Sequence, residues 1–314
     1  MDSLSKAFYE TNFKIAIMEK TETQFEGFFS EVMQLKYEDN FMPCQPWGSD
    51  GDKKNDGYLI NERHLFAVNG PRSINQNRMI KKIDSDLRGA LDYWEEYFDK
   101  WAFVHNQYAL TPKINKKLLE LGTEFNQIKM SFWGPNELKS IIFSLADTKI
   151  DSILGPIPSR ASFNDLTFED IQPVIKSISK KANPATEDLK PVPEDKLVIN
   201  GLSDPIITLI RAGLVRAPLV RQYFNLQTPI NLGDEIAGTL KKQYEYYRDV
   251  MDLEPDDIYS ELVNYIADNR KKENLIYGVA IHTVLPELFT DLLIKAPKPE
   301  FIGFWGLCLC MKKM

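Results

Sequence analysis

Apolar residues recur at every third or fourth position near the start of the chain. Over residues 12–37 this spacing predicts an amphipathic helix, because residues that far apart share one helix face. The predicted apolar face carries Phe25, Phe28, Phe29, Val32 and Met33. Two short apolar runs follow at residues 58–60 and 65–68, on either side of a polar segment at residues 61–63. Apolar runs separated by such a segment predict a β-hairpin.

Helical and strand patterns alternate over the rest of the first half. They predict, in order, a helix over 75–100, a strand over 101–104, a helix over 112–121, a strand over 127–133 and a helix over 134–146. This alternation predicts a small α/β sheet domain that ends at residue 147. A helix between the hairpin and the next strand is typical of a parallel crossover connection.

The composition changes in the second half. Several prolines lie within residues 148–200, which predicts a connector with one helix over 168–180 and Thr167 as its N-cap. Helical spacing then returns in four segments, which are 202–224, 234–251, 255–269 and 275–294. We therefore expect an α/β domain over residues 1–147 and a mostly α-helical domain over residues 148–314.

Net charge limits the kinds of partner. The chain has 314 residues, a net charge of −7 and a pI of about 5.2, which excludes a uniformly basic nucleic-acid coat. A local basic run does occur, and it makes Arg72, Arg78, Lys81 and Lys82 candidate nucleic-acid contacts. A solvated helix face is the other interpretation of this run, and the sequence leaves both open.

Cysteine usage and hydropathy bear on the compartment. Three cysteines, Cys44, Cys308 and Cys310, are typical of a reducing compartment. Residues 1–11 lack the pattern of a secretory signal, and no stretch reaches the roughly 20 apolar residues of a membrane span. We therefore expect a cytoplasmic protein. The apolar stretch at 301–310 is short, and we expect it to pack against a core or a partner subunit.

The segment before the hairpin, residues 46–58, is dense in glycine and charge. Three aspartates and two lysines lie between Asp50 and Asp56. Asp56 directly precedes the first strand of the hairpin. Magnesium-dependent nucleases place a carboxylate at such a position, because a hard cation prefers oxygen ligands. A solvated surface turn is the alternative interpretation.

Other kinds of site have less support in the sequence. His64, His105 and His282 are far apart and share no metal-ligand spacing. His105 and Asn106 end a predicted strand, where they could face a cleft or form a hydrogen-bonded part of the core. The sequence has no GxxxxGK[ST] motif, so any ATP would be bound by a partner. Four aromatic residues are expected in the core, and these are Trp94, Tyr97, Phe98 and Trp101.

Longer stretches carry a family resemblance. The first half resembles the restriction-endonuclease-like domain, the PD-(D/E)xK nuclease fold, in the stretches FEGFFSEVMQLKY, WGSDGDKKNDGYL, LFAVNGP and WAFVHN. The second half resembles the C-terminal domain of bacterial ABC-three-component systems in the stretches FEDIQPVI, PVPEDKLVINGLS, VRQYF and GDEIAGTLKKQYEYY. Together these ordered stretches span most of residues 21–265.

The resemblance implies a role in bacterial defence against phage and other invading DNA. It implies two partners, an SMC-like or Rad50-like ABC ATPase and a small middle component. The first domain would act on DNA as the effector or recruiting subunit. Assembly of several copies of the chain stays open.

The resemblance also implies a Mg²⁺ site, and this chain departs from the pattern of that site. Asp56 matches the first aspartate, and Glu26 is the acid nearest to the expected helix position, so both are candidate catalytic residues and metal ligands. The acid and lysine positions of the second strand hold Ala67 and Asn69, which cannot supply those groups. Asp52, Lys53, Lys54 or Glu62 could fill these positions instead, and Lys54 is the candidate catalytic lysine.

Two functions therefore stay open at the level of sequence. One is a degenerate Mg²⁺-dependent DNA nuclease that uses Asp56, Glu26 and Lys54. The other is a non-catalytic DNA-binding or scaffold subunit, in which Lys53, Lys54 and the basic run would contact phosphates.

Overall fold

The structure is a computed structural model. It describes residues 1–44, 53–181, 201–227, 232–267 and 274–293. Packing divides the chain into two compact units. We call residues 12–156 the sheet unit, and residues 1–11 together with 157–314 the helical unit. The predicted division into domains over residues 1–147 and 148–314 stays a prediction.

The sheet unit holds a five-stranded sheet and the helices around it. Its elements, in chain order, are the second part of α1 (Ser3–Glu19), α2 (Thr23–Tyr37), β1 (Phe41–Pro43), β2 (Gly57–Leu59), β3 (His64–Asn69), α3 (Gln76–Trp94), β4 (Lys100–His105), α4 (Pro112–Glu124), β5 (Lys129–Trp133), α5 (Pro135–Ile142) and α6 (Asp147–Leu154).

The described part of the helical unit contains helices and turns. Its elements are the first part of α1, α7 (Arg160–Asn164), α8 (Phe168–Ser179), α9 (Asp204–Leu214), α10 (Ala217–Asn225), α11 (Leu232–Glu245), a π-helical turn (Tyr246–Val250), α12 (Pro255–Ala267) and α13 (Leu275–Leu293). The predicted α/β first half and helical second half are both confirmed.

The strands follow one another across the sheet in the order β1-β2-β3-β4-β5. β1, β2 and β3 pair antiparallel, whereas β3, β4 and β5 pair parallel. The predicted hairpin and the predicted crossover to β4 are therefore confirmed. β1 was not predicted. It has only three residues and ends at Pro43, which has no N–H to donate and so suits the edge of a sheet.

β3 is buried on both of its faces. On one face Phe66 packs against the ring of Phe29 in α2, with ring centroids 5.3 Å apart. On the other face Leu65 and Ala67 belong to a core cluster with residues of α3 and α4, such as Ile83. Successive side chains of a strand point to opposite faces, so two helical layers cover one strand.

Two helices of the sheet unit differ from their predicted extents. The predicted helix over 12–37 is wrong as a single helix, because α1 ends at Glu19 and Glu22 has φ 54° before α2 begins. The predicted helix over 75–100 ends at Trp94. The amides of Asp99 and Lys100 instead donate to the carbonyl of Arg63 in the hairpin turn, which directs the chain into β4.

The predicted connector over 148–200 is helical in most of its described part. α6 and α7 lie there in addition to α8. Thr167 is the N-cap residue of α8, and its N–H and hydroxyl donate to the carboxylate of Asp170 at 2.8 and 2.7 Å. Residues 182–200 lie outside the described residues. Likewise, the predicted helix over 202–224 is two helices, α9 and α10, with Ala217 and Pro218 starting the second.

α13 is the central helix of the helical unit, and it packs against α8, α9, α10, α11 and α12. It crosses α9 closely at Gly213. A Cβ atom on Gly213 would collide with the carbonyl oxygen of His282. Pro286 lies four residues after His282 in α13 and has no N–H for that carbonyl. Gly213 lies within α9, and its lack of a side chain permits this helix crossing.

We predict that Gly213→Ala destabilises the protein by about 3 kcal/mol or more, because α9 and α13 must separate to admit the methyl group. Thermal unfolding measures the effect. Gly278→Ala in α13 is the matched control, since a Cβ there meets no atom within 4 Å. The control should be neutral or stabilising by up to about 1 kcal/mol. Equal effects of the two substitutions would contradict the close crossing.

Candidate functional site

Asp56 lies immediately before β2 and continues its pairing with β3. The N–H of Asp56 donates to the carbonyl of Phe66 at 2.9 Å, and Oδ2 of Asp56 accepts the N–H of Val68 at 2.6 Å. Next to it, the buried Asn55 accepts the N–H of Gly57 through Oδ1 at 2.9 Å. One carboxylate oxygen of Asp56 therefore extends the β-ladder.

The second-strand position that would hold an acid is Ala67. Its side chain is 1% exposed and lies in the apolar cluster with Leu65, Ile83 and Leu87. A carboxylate there would lose its hydration and gain no cation, which costs several kcal/mol. The surrounding packing therefore favours alanine at this position.

Lys54 is held by an acid that the sequence analysis missed. Its Nζ lies 3.1 Å from Oδ1 of Asp86 in α3, and Nζ of Lys82 lies 2.7 Å from Oδ2 of the same carboxylate. Asp86 is 2% exposed. One buried carboxylate therefore neutralises two lysines. The signal was present, because Asp86 falls on the apolar face of α3 between Ile83 and Leu87.

Gly89 contributes to the position of Lys54. A Cβ atom at residue 89 would come within 2.8 Å of the Lys54 Cγ, so glycine leaves room for the lysine stem beside α3. Lys53 and Lys54 both have positive φ, 51° and 67°, which costs free energy for residues with a Cβ. The ion pair with Asp86 supports this turn of the backbone.

Lys53 also contacts α3. Its Nζ lies 5.7 Å from the centre of the Tyr93 ring, and its carbonyl accepts Nε1–H of Trp94 at 3.1 Å. Trp94 is half-buried.

The prediction that Tyr97 lies in the core is wrong, because its side chain is 57% exposed. Acidic residues precede and follow these aromatics, so this end of α3 does not favour nucleic acid.

Glu26 lies on α2, which packs on the face of the sheet opposite to α3. Asp86 and the ammonium group of Lys54 lie on the α3 side. Within the ranges that the structure describes, no group of three or more His, Cys, Asp or Glu side chains could hold a metal ion. Asp50 and Asp52 fall outside those ranges. The pairing of Asp56 with Glu26 at a metal stays a prediction.

The predicted basic run separates into two kinds of residue. Lys82 is bound to Asp86, and Arg72 lies 3.9 Å from Glu22 with both side chains well exposed. Arg78 and Lys81, by contrast, are exposed and form no ion pair with any described residue.

α4 adds cations that the sequence analysis did not connect to this run. Nζ of Lys113 donates to Oδ1 of Asn77 at 2.7 Å, which brings the first turns of α3 and α4 together. Lys116 is 79% exposed one turn later, and its Nζ lies 4.0 Å from the carboxylate of Glu120. We call Arg78, Lys81, Lys113 and Lys116 the α3–α4 basic face. The long separation along the chain explains why no local pattern indicated it.

His105 and Asn106 end β4 as buried polar residues. Nδ1 of His105 accepts the N–H of Gln107 at 3.3 Å, and the Asn106 amide donates to the carbonyl of Pro71 at 3.2 Å. Burial lowers the pKa of His105 to about 4, and burial likewise lowers the pKa of His64 to about 4. Both imidazoles are therefore neutral at pH 7. The structure supports a hydrogen-bonded core histidine at residue 105, whereas Nε2 of His64 is buried with no hydrogen-bond partner among the described residues.

Comparison with known proteins concerns the second half of the chain. Residues 169–285 match the family model of C-terminal domain 10 of the ABC-three component (ABC-3C) systems. The match covers a little over a third of the chain, from α8 into α13. Neither the curated proteins nor the solved structures gave a match.

The family match supports the C-terminal part of the resemblance seen in the sequence. Residues 169–285 are therefore similar to a domain that occurs in ABC-three component systems. The resemblance of the first half to restriction endonucleases stays a prediction. In the part of the chain that the structure describes, no helix is both long and apolar enough to cross a bilayer.

We predict that stability falls as the pH drops from about 6.5 to about 4. His64 and His105 have folded-state pKa values of about 4, below the unfolded value near 6.5, so the unfolded chain binds more protons in this window. Each histidine contributes up to about 3 kcal/mol, and this contribution is lost by pH 4. Urea unfolding followed by tryptophan fluorescence measures the slope.

His105→Gln tests this assignment. Glutamine can still accept a hydrogen bond, but it does not titrate. The two histidines contribute about equally to the slope of stability against pH between 4 and 6.5. Removal of one of them should therefore remove about half of their joint contribution to that slope. Comparison of slopes cancels the contribution of the carboxylates, which both proteins share. An unchanged slope would show that His105 is protonated equally in the folded and unfolded states.

Proposed function

We propose that this chain is the recruiting subunit of a bacterial anti-phage defence complex. Its helical unit would dock to an SMC-like or Rad50-like ATPase together with a small middle component. Its sheet unit would be a nuclease-like fold that holds DNA without cutting it. The match of residues 169–285 to an ABC-3C C-terminal domain carries this proposal.

The packing around Asp56 favours holding DNA over cutting it. A two-strand Mg²⁺ site needs an acid where Ala67 lies in the core, and it needs a lysine free to approach the phosphate. Lys54 instead lies at Asp86, and Asp56 uses one oxygen in the β-ladder. The described donor groups therefore fit Mg²⁺ poorly, and the proposal includes no metal-dependent step.

The α3–α4 basic face is the proposed DNA contact. Phosphate contacts need exposed cations that no carboxylate already neutralises. Arg78 and Lys81 are exposed and pair with no acid in the described part of the chain. The net charge of −7 means that DNA would be attracted at this face and repelled elsewhere. This combination suits a subunit that must be oriented on DNA by its partners.

A second candidate function is a Mg²⁺-dependent DNA nuclease. The observation that favours it is the position of Asp56, directly before β2 and within the ladder of the hairpin. In that case Asp56 and Glu26 would hold the ion, with help from residues such as Asp52 that lie outside the described ranges. The bound ion would orient and activate water for attack on a phosphodiester.

We predict that the double variant Arg78→Gln, Lys81→Gln binds DNA about tenfold more weakly in dilute buffer. The slope of log affinity against log salt should fall by roughly 2, since about 0.9 is lost for each phosphate contact. Fluorescence anisotropy of a labelled duplex with the full chain measures both quantities.

The matched control removes two lysines from the opposite side of the sheet unit. The double variant Lys36→Gln, Lys139→Gln changes the net charge equally, but its sites lie on α2 and α5. It should bind DNA nearly as the wild type does. Equal loss in both double variants would show that net charge alone sets the affinity, and salt-independent binding would contradict a phosphate-contacting face.

We predict that Asp56→Asn leaves phage defence intact. The asparagine Oδ1 can still accept the N–H of Val68, but the side chain loses the charge that Mg²⁺ needs. Efficiency of plating in cells with the complete system measures defence. DNA cleavage by the assembled complex in Mg²⁺ or Mn²⁺ measures catalysis. If Asp56→Asn loses both phage defence and DNA cleavage while its thermal stability is unchanged, the nuclease function is established instead.

A further inference from the structure

A cavity in the helical unit has the lining of a binding site. It has a volume of about 480 Å³, which is within the range of small-molecule sites. It opens between the start of α1, the short helix α7 and one face of α9. The residues around it are Ser3, Leu4, Arg160, Phe163, Asn164, Thr208, Arg211, Ala212 and Val215.

The sequence explains how α9 contributes to this cavity. Thr208, Arg211, Ala212 and Val215 follow one another at spacings of three, one and three residues, so they share one stripe of the helix surface. The opposite stripe of α9, with Ile206, Ile210 and Gly213, is buried. The cavity therefore occupies the side of α9 that α13 does not cover.

The charge of the lining is strongly one-sided. It contains two arginines and no acidic residue. Arg211 makes no hydrogen bond or ion pair with any residue in the described ranges, and the same holds for Arg160. The carboxylate of Asp2 interacts with Arg160 at longer range through its charge. The pKa of Asp2 is lowered mainly by the N–H of Ser5, which donates to its carboxylate at 2.8 Å.

Polar and apolar groups complete the lining. The hydroxyl of Thr208 donates to the carbonyl of Asp204 at 2.8 Å, while Ser3 and Asn164 supply further hydrogen-bonding groups. Leu4, Ala212 and Val215 add apolar surface. Such a lining suits a molecule with one anionic end and a less polar body.

We propose that this cavity binds a small phosphate-bearing molecule, with Arg160 and Arg211 as the phosphate contacts. A phosphate monoester carries a charge of about −1.5 to −2 at pH 7 and three acceptor oxygens. Two guanidinium groups match that charge and supply paired N–H donors for those oxygens. This site is separate from the α3–α4 basic face and does not depend on the proposed function. Five of its nine residues precede residue 169, outside the family match.

The test uses the full chain with inorganic phosphate and ribose 5-phosphate as probes, at constant ionic strength set by chloride. We expect both probes to raise the melting temperature in a saturable way. Ribose 5-phosphate should bind more tightly because it fills more of the cavity. Isothermal titration gives the dissociation constants.

Three variants locate the binding. Arg211→Gln should weaken the binding of ribose 5-phosphate at least about tenfold, as the loss of a charge-assisted contact predicts. Ala212→Leu keeps both arginines but fills the cavity, so it should weaken the binding of ribose 5-phosphate more than the binding of inorganic phosphate. Lys242→Gln on α11 is the control, since it removes an exposed positive charge of the same unit away from the cavity.

The outcomes separate a cavity ligand from general attraction of anions. The proposal stands if Arg211→Gln and Ala212→Leu lose binding while Lys242→Gln retains it, with melting temperatures of the free variants near that of wild type. The proposal is overturned if wild type shows no saturable response to either probe. It is also overturned if all three variants respond as wild type does.

Discussion

Burial of β3 on both faces is the constraint on which the sheet unit depends. Phe66 faces α2, whereas Leu65 and Ala67 face α3 and α4, so the strand leaves little room for a charged side chain. In a sheet with one face open to water, an acid at residue 67 would stay hydrated and would cost little folding free energy. Here it would be a buried charge without a cation. The packing of β3 on both faces therefore explains why no carboxylate is present at residue 67. The missing carboxylate in turn accounts for the proposed loss of catalysis.

Asp86 shows how a buried charge is kept where its neighbours do supply cations. The carboxylate lies within α3 and is approached by Lys54 from the segment before β2 and by Lys82 from its own helix. The lysines are only partly buried, so they retain water while Asp86 does not. Removal of such a partner is costly because the buried charge would be left alone. The consequence for function is a division of the basic residues. Some hold the fold together, whereas Arg78 and Lys81 form no ion pair with any residue that the structure describes.

Local patterns predicted the elements whose determinants are local. The apolar face of α2, the hairpin of β2 and β3, and the start of α4 at Pro112 all follow from spacing or from a single residue. β1 was missed because a strand of three residues is too short to show an alternating apolar pattern. The break at Glu22 was missed because no glycine or proline marks it. The pairing of Lys54 with Asp86 spans 32 positions and has no sequence signature, since only the fold brings the two together. The cavity beside α9 was missed for the same reason, because Arg160 and Arg211 come from different helices.

The helical unit is discontinuous along the chain, since residues 1–11 belong to it together with residues beyond 156. Phe8 makes this dependence concrete, because its ring packs against Phe163 and against His282, with centroids 6.2 and 4.7 Å apart. During translation, residues 1–11 leave the ribosome before the whole of 12–156, and His282 follows much later. At a synthesis rate of about 5–20 residues per second, Phe8 waits roughly 15–60 seconds for its partners. Until α13 has been made, the apolar start of α1 lacks the ring of His282 against which Phe8 packs.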